Sequence, residues 1–403
     1  MRRQKSAADH VLVHFPAMSR QAADAQHLES ALELARKGIG LASPNPYVGA
    51  LITDASGEVA GAGTYTYHGL RHAEILALEQ AGPRARGGTL YINLEPHAHQ
   101  GRTPPCTDRL IEAGIHRVVA SMADPNPRVS GRGFEQLRAA GVEVEVGALE
   151  QQARQLNEAF ARYIRHGTPL VTLKAAMTLD GKIAPPASEL VAKAVGIPGG
   201  GWITGEVARA HVQQLRHQHD ALLVGAGTIL SDDPLLTDRS GLARRRRLLR
   251  VILDSRLRTP LESRLVQDAA ARRENDALIF CGSADEQKQR QLEALGVRVE
   301  TVSAADGRPD LPAILRRLGE LEITSLMIEA GATVNGAALA AGVVDKVFLY
   351  YAPKILADSG ARPLAAGTGL EHSNEAAPVK RVRLHRFGDD FAVEGYLRDP
   401  YAE

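Results

Sequence analysis

Thr89-Leu90-Tyr91-Ile92-Asn93-Leu94-Glu95-Pro96-His97 opens the stretch that decides the fold, and it runs on through Gly101-Arg102-Thr103-Pro104-Pro105-Cys106 to Arg117-Val118-Val119-Ala120-Ser121. Thr89 to Leu94 favours a pleated strand, Pro104 to Ala113 has its prolines at a helix entry, and Arg117 to Ser121 is strand-like again. Strand, helix, strand in this order is the unit of a sheet with crossover helices. Upstream, Leu28, Ala31, Leu32, Leu34 and Ala35 have helical spacing ahead of a stop at Gly38-Ile39-Gly40. Strands follow at Tyr47 to Ile52 and Gly57 to Gly63, and a helix begins near His72. Downstream, a helix from Gly133 to Ala140 and a strand from Val142 to Val146 complete the series.

A second α/β series begins after Gly167-Thr168-Pro169, which halts a helix over Leu156 to Ile164. Its expected strands are Leu170 to Ala176, Ala221 to Val224, Arg250 to Leu253, Ala277 to Cys281, Val297 to Val302, Ser325 to Glu329 and Lys346 to Tyr351. Helices fill the gaps, among them Glu206 to His217 and Asn335 to Ala341, while Pro185 to Gly201 reads as a mobile loop. The expected organisation is an extension over 1–25, with Met18 as a second start, a first domain over 26–166 and a second over 167–403. Such a length suits two domains with separate cores.

Composition excludes several classes. Lys+Arg number 48 against Asp+Glu 47, so the net charge of +1 supplies no global field for nucleic acid or an anionic membrane. Two cysteines, Cys106 and Cys281, make no disulfide framework and point to a reduced, cytosolic setting. No apolar run is long enough to span a bilayer, and the first 25 residues lack the apolar stretch of a secretory signal. Cys281, in an apolar strand, reads as core.

The chemistry concentrates in two places. His72-Ala73-Glu74 falls at a strand-to-helix junction, and eight residues separate His97 from Cys106 at another helix start. Zinc catalysis needs three N or S ligands, an open position for water and an unligated acid/base. His72, His97 and Cys106 supply the ligands and Glu74 the proton shuttle, with His99 as an alternative ligand. A helix N-terminus would lower the Cys106 thiol, favouring a metal-binding thiolate. Zinc nucleobase deaminases carry H-x-E and then P-C-x-x-C, with the Glu as general acid/base. In the second half, Lys174 to Ala184, Trp202-Ile203-Thr204-Gly205, Gly225-Ala226-Gly227-Thr228, Asp232-Asp233-Pro234, Leu236 to Arg239 and Glu329-Ala330-Gly331 follow one another. The turn from Glu329 to Gly336 has the strand-turn-helix form of a dinucleotide site without being G-x-G-x-x-G.

Asn45-Pro46 with Gly49, then His72-Ala73-Glu74, Leu94-Glu95-Pro96, Gly101 to Cys106, Asp124-Pro125-Asn126-Pro127 and Gly131-Arg132-Gly133, in this order and spacing, resemble the deaminase half of the bifunctional riboflavin-biosynthesis deaminase/reductase family. The second-half set resembles its reductase half, and the two together cover nearly the whole chain from Gln26. The resemblance implies an α/β chain: an N-terminal cytidine-deaminase-like domain followed by a C-terminal dihydrofolate-reductase-like domain. It implies one Zn2+ per chain, with Glu74 catalytic and Asn45, Arg102, Asp124 and Asn126 on the deaminase substrate. It implies NADPH on Ala176, Trp202, Thr228, Asp232, Ser255 and the turn Gly331, Ala332, Thr333, Val334, Asn335, Gly336 and Ala337. Gly200, Arg216, Leu236, Arg239 and Glu329 would contact the reductase substrate, with the arginines placed for a phosphate.

Two departures fall in the first site. His97 stands where the family normally has a Cys, which leaves the metal about one positive charge richer. Tyr65 stands where the family usually has a His that touches substrate, with His68 nearby. The implied reactions are deamination of 2,5-diamino-6-(5-phosphoribosylamino)pyrimidin-4-one and NADPH-dependent reduction of its ribosyl group to ribityl, in a cytosolic homo-oligomer acting on a small molecule. Three rival readings remain. The deaminase domain is kept only as support for a reductase, the chain is a non-catalytic scaffold, or Arg244 to Arg247 mark a nucleic-acid deaminase. The last has little support in a chain that is only 4% aromatic, where four arginines read as an exposed loop.

Overall fold

A computed structural model of the protein describes residues 19–69, 71–99, 104–186, 202–302, 307–367 and 376–402. The first sheet comprises β1 (Gly49–Thr53), β2 (Val59–Thr64), β3 (Thr89–Ile92), β4 (Arg117–Ala120) and β5 (Glu143–Val146), in the order β2-β1-β3-β4-β5. β1 runs antiparallel to β2 and β3, and β3, β4 and β5 are mutually parallel. Alternation sorts its side chains onto two layers. Leu51, Tyr91 and Val119 meet Leu28 of the helix Arg20–Arg36 on one face. Ile52, Leu90 and Val118 meet Ala77, Leu110 and Leu137 from helices Ala73–Ala81, Cys106–Glu112 and Arg132–Ala139 on the other.

The second domain holds β6 (Leu170–Thr178), β7 (Lys182–Ala184), β8 (Ala221–Gly225), β9 (Leu249–Leu253), β10 (Ala277–Cys281), β11 (Arg298–Thr301), β12 (Ser325–Ile328), β13 (Lys346–Ala352), β14 (Arg362–Pro363), β15 (Lys380–Phe387) and β16 (Asp390–Tyr396). Nine of them form one sheet, β11-β10-β9-β8-β12-β6-β13-β16-β15, and β7 pairs with β14. The strands from β11 to β13 are parallel, and both faces are covered, so β8 and β10 are buried at every residue. Leu222, Val224, Ile252 and Ile279 pack under the helices Glu206–Gln218 and Arg264–Arg272, while Leu223, Val251, Leu278 and Phe280 pack under Leu311–Glu320 and Ala332–Ala340.

Four expectations need correction. The helix starts at Arg20 with Ser19 as its N-cap, so the end of the expected 1–25 extension belongs to the domain. Asp24 is buried there and takes a two-pronged ion pair from Arg117, at 2.8 and 2.7 Å. Residues 1–18 lie outside the described residues. The helix expected over Leu156 to Ile164 is Glu158–His166, and an unforeseen helix, Glu150–Leu156, precedes it across a break at buried Asn157, which bonds both the backbone N–H and the carbonyl of Tyr47. The C-terminal pair β15 and β16, unforeseen in the sequence, adds an antiparallel edge to the sheet. The run Arg244 to Arg246 is half-buried between the domains, with only Arg247 exposed.

Candidate functional sites

The first site forms where three chain segments meet the first sheet. His72 is the N-cap of the helix that carries Glu74 in its first turn. The His97 carbonyl accepts from the backbone N–H groups of Cys106 and Thr107 at 2.8 and 3.2 Å, locking the loop onto the next helix start. The ligand atoms of His72, His97 and Cys106 consequently lie within 4.8 Å of one another. His72 Nδ1 is 3.1 Å from Cys106 Sγ, and the buried Nδ1 of His97 has no partner among the described residues. Burial, with His99 and His72 beside it, pulls the His97 imidazole down to about 4, so the ring is neutral as a metal ligand must be.

Cys106 departs from the sequence expectation. Burial, then the Glu74 carboxylate, pushes its thiol up rather than down. A buried carboxylate, a buried thiol and two imidazoles with a free ring nitrogen fit a dication, whose charge would turn the thiol into a thiolate. His99 is exposed, 3.2 Å from His97 Nε2, and is not part of the trio.

Around these ligands, Asn45 Nδ2 donates to Tyr65 Oη at 2.7 Å, and Tyr65 meets His72 edge-on at 5.6 Å. Exposed His68 packs on Tyr67, so Tyr65 takes the place beside Asn45. The residue that sequence reasoning quoted without giving it a role is Glu95. Its carboxylate accepts from the N–H groups of Asp124, Gly131 and Gly133 at 2.9, 2.8 and 2.7 Å. One buried side chain therefore ties the Glu-Pro, Asp-Pro-Asn-Pro and Gly-Arg-Gly motifs together. Burial, with Glu95 nearby, pushes Asp124 up to about 6, and Asn126 closes its turn onto the Asp124 carboxylate at 2.8 Å. Arg102 lies outside the described residues.

The second group collects at the carboxyl edge of the parallel sheet, where ligands bind in open α/β sheets. Ala176 is near the end of β6, Thr228 follows β8, Ser255 follows β9, and Glu329 and Gly331 follow β12. The turns after β8 and β12 touch: a Cβ on Gly225 would lie 2.9 Å from Val334 Cγ2. Thr333 and Ala337 are exposed and Ala332 is buried. Asn335 is buried, with Nδ2 donating to the Leu364 carbonyl and Oδ1 unpartnered among the described residues. Asp232 is exposed, and Trp202 is 63% exposed with Arg209 over its ring at 5.0 Å.

Arg216 meets Glu329 through Nη2 and Nε at 2.6 and 3.3 Å and the Thr237 carbonyl through Nη1 at 2.9 Å. Burial alone would raise Glu329, but Lys174 and Arg216 outweigh it and hold the carboxyl at about 2. Arg239 is exposed. The Leu236 side chain sits in the core, so the expected substrate contact from it reduces to its backbone, held at φ 55. Gly200 lies outside the described residues. Cys281 is core, as expected. Among the described residues, no helix is long and apolar enough to cross a membrane.

A metal-capable side-chain cluster on one domain and a gathering of turns at the carboxyl edge of a parallel sheet on the other point to an enzyme with two separate sites. Residues 21–122 match the cytidine and deoxycytidylate deaminase zinc-binding region, and residues 169–393 match the RibD C-terminal domain. The chain is 41% identical over 377 residues to the riboflavin biosynthesis protein RibD of Actinobacillus pleuropneumoniae, covering 94% of this chain and 96% of that one. It is 38% identical to RibD of Escherichia coli strain K12, covering 92% and 98%. Among solved structures, Acinetobacter baumannii RibD superposes with a TM-score of 0.79 at 32% identity, covering 94% and 99%. The Thermotoga maritima diaminohydroxyphosphoribosylaminopyrimidine deaminase/5-amino-6-(5-phosphoribosylamino)uracil reductase does so at 0.77 and 34%, with the same coverage. The chain belongs to the RibD family, the bifunctional deaminase/reductases of riboflavin biosynthesis. Relatives that span both halves favour two activities over a reductase with a vestigial first domain.

Proposed function

We propose that this chain removes the 2-amino group of 2,5-diamino-6-(5-phosphoribosylamino)pyrimidin-4-one by hydrolysis in the first domain. The 167–403 domain then reduces the ribosyl side chain to ribityl with NADPH. The observation that carries the first step is the convergence of His72, His97 and Cys106 beside Glu74. One zinc per chain would be held by that trio and, when bound, supplies Lewis-acid activation of water. Glu74, buried and unligated, takes the proton from the water and returns it to the departing amine, so that water enters and ammonia leaves. Asn45, with Tyr65 behind it, and Asp124 and Asn126 on the Glu95-tied loop orient the pyrimidine, and Arg102 meets the phosphate.

NADPH, when bound, supplies the hydride. Its cradle is the pair of touching turns, Gly225 to Thr228 and Gly331 to Ala337, with Ala176, Trp202, Asp232 and Ser255 around them. Arg216 keeps two of its five N–H groups for the substrate after bonding Glu329 and Thr237. Arg239, Glu329, the Leu236 backbone and Gly200 complete the substrate side. The reading is of a cytosolic homo-oligomer acting on a small molecule, without nucleic acid or membrane. The arginines that could suggest RNA support this, since all four are engaged in protein contacts.

Metal content tests the first half. The wild-type chain should carry about one zinc, and His97→Ala should lower zinc affinity by more than the roughly 10–100-fold that loss of an outer partner costs. A zinc-free wild type with intact NADPH-dependent reduction would remove the deaminase from the reading.

A further inference from the structure

Arg244, Arg245 and Arg246 sit at the seam between the domains, and the last two both reach Ser43. Arg244 turns back into its own domain, donating to the carbonyls of Arg216, His217 and His219. Arg246 pairs with Asp220 at 3.2 Å and reaches Ser43 Oγ at 3.2 Å. Arg245 crosses over. Its backbone N–H donates to the Gly40 carbonyl at 2.7 Å, its guanidinium donates to the Ser43 carbonyl, and Cζ lies 3.3 Å from the centroid of the Tyr67 ring. The seam leaves no slack at this point. Gly40 has φ +76, and a Cβ there would lie 2.7 Å from His217 Cε1.

What Arg245 grips matters for the chemistry. Ser43 is two residues before Asn45, and Tyr67 is two residues after Tyr65. The Tyr67 N–H donates to the Leu41 carbonyl at 3.0 Å, so the two loops form one tied unit. That unit presents the Asn45–Tyr65 pair against His72. A planar guanidinium can donate in its plane and stack with its face at the same time, which a lysine ammonium cannot reproduce.

We propose that Arg245, contributed by the reductase domain, is a positioning residue of the deaminase site, holding the loops that carry Asn45 and Tyr65 beside the metal ligand His72. The proposal rests on reading Asn45 as a substrate contact. Part of the deaminase geometry is then set by the other domain.

Full-length Arg245→Ala, Arg245→Lys, Tyr67→Leu, Tyr67→Phe and Asn45→Ala enzymes test it through deamination KM and kcat, zinc content and NADPH-dependent reduction. Arg245→Ala should raise the deamination KM about tenfold and leave kcat within about twofold, with zinc content and reduction unchanged. Tyr67→Leu should reproduce that split, Tyr67→Phe should behave as wild type, and Arg245→Lys should recover only part. Should Arg245→Ala not fold, the contrast between Tyr67→Leu and Tyr67→Phe decides. An unchanged KM in both Arg245→Ala and Tyr67→Leu overturns the proposal, as does a parallel fall in both activities, which would mean general loosening of the seam. A raised KM in Asn45→Ala alone sinks the positioning role and leaves the site reading intact. No effect of Asn45→Ala removes the site reading and the proposal with it.

Discussion

Glu74→Gln should lower deamination by about 10²–10⁴-fold, the range that a positioned general acid/base contributes. Zinc content and NADPH-dependent reduction should stay at wild-type levels. The substitution is close to isosteric, and Glu74 is only 3% exposed, so packing changes little while the carboxylate is lost. Glu74 is also the charge that, after burial, holds the Cys106 thiol up. The amide removes that effect, so metal capture should not suffer. Parallel zinc analysis and single-turnover deamination check this; retention of more than a tenth of the wild-type rate would show that another group moves the proton.

Arg216→Ala should lower the reductase kcat/KM by about 10–100-fold, since it removes charge-assisted hydrogen bonds worth about 1.5–3 kcal/mol at the substrate side. The pair is 11% exposed on each side, and Arg216 also holds Thr237 in the loop that leads to Arg239. Truncation leaves Glu329 with Lys174 and His219 as the charges that lower it, and removes a donor placed for phosphate. Arg216→Lys should recover little, because an ammonium cannot span both Glu329 oxygens and the Thr237 carbonyl. Deamination should be unaffected. A reductase that tolerates Arg216→Ala within a few-fold would take Arg216 out of the substrate site.

Much of the fold is legible in periodicity. Ala277 to Cys281 is an unbroken apolar run and becomes a strand buried on both faces. Lys380 to Phe387 was missed because it is an edge strand: Val382 and Leu384 are 52% and 74% exposed, set among Lys380, Arg381, Arg383 and Arg386. Charged residues guard such edges and blur the alternation that marks an interior strand. The helix break at Asn157 was invisible for another reason. Its partner, Tyr47, is 110 residues away in sequence.

The first site was legible because His72, Glu74 and Cys106 stand at helix starts, where local geometry aims a side chain, while His97 stands in the loop that leads to Cys106. The role of Glu95 was not legible, because its three N–H partners lie 29, 36 and 38 residues on.

The sequence by itself determined two α/β domains, the His/His/Cys trio with its carboxylate, and the order of the cofactor and substrate motifs. The strands, helix starts and motif order rest on short-range spacing, which sets side-chain direction within one element, whereas the approach of His72 to Cys106 across 34 residues belongs to the fold. Only the tertiary structure decided that Arg244 to Arg246 are a seam rather than a basic surface, that Arg216 is bound to Glu329, and that Leu236 is core. Those outcomes depend on which distant groups meet in a low-dielectric interior, where an unpaired charge is costly and pairing is enforced.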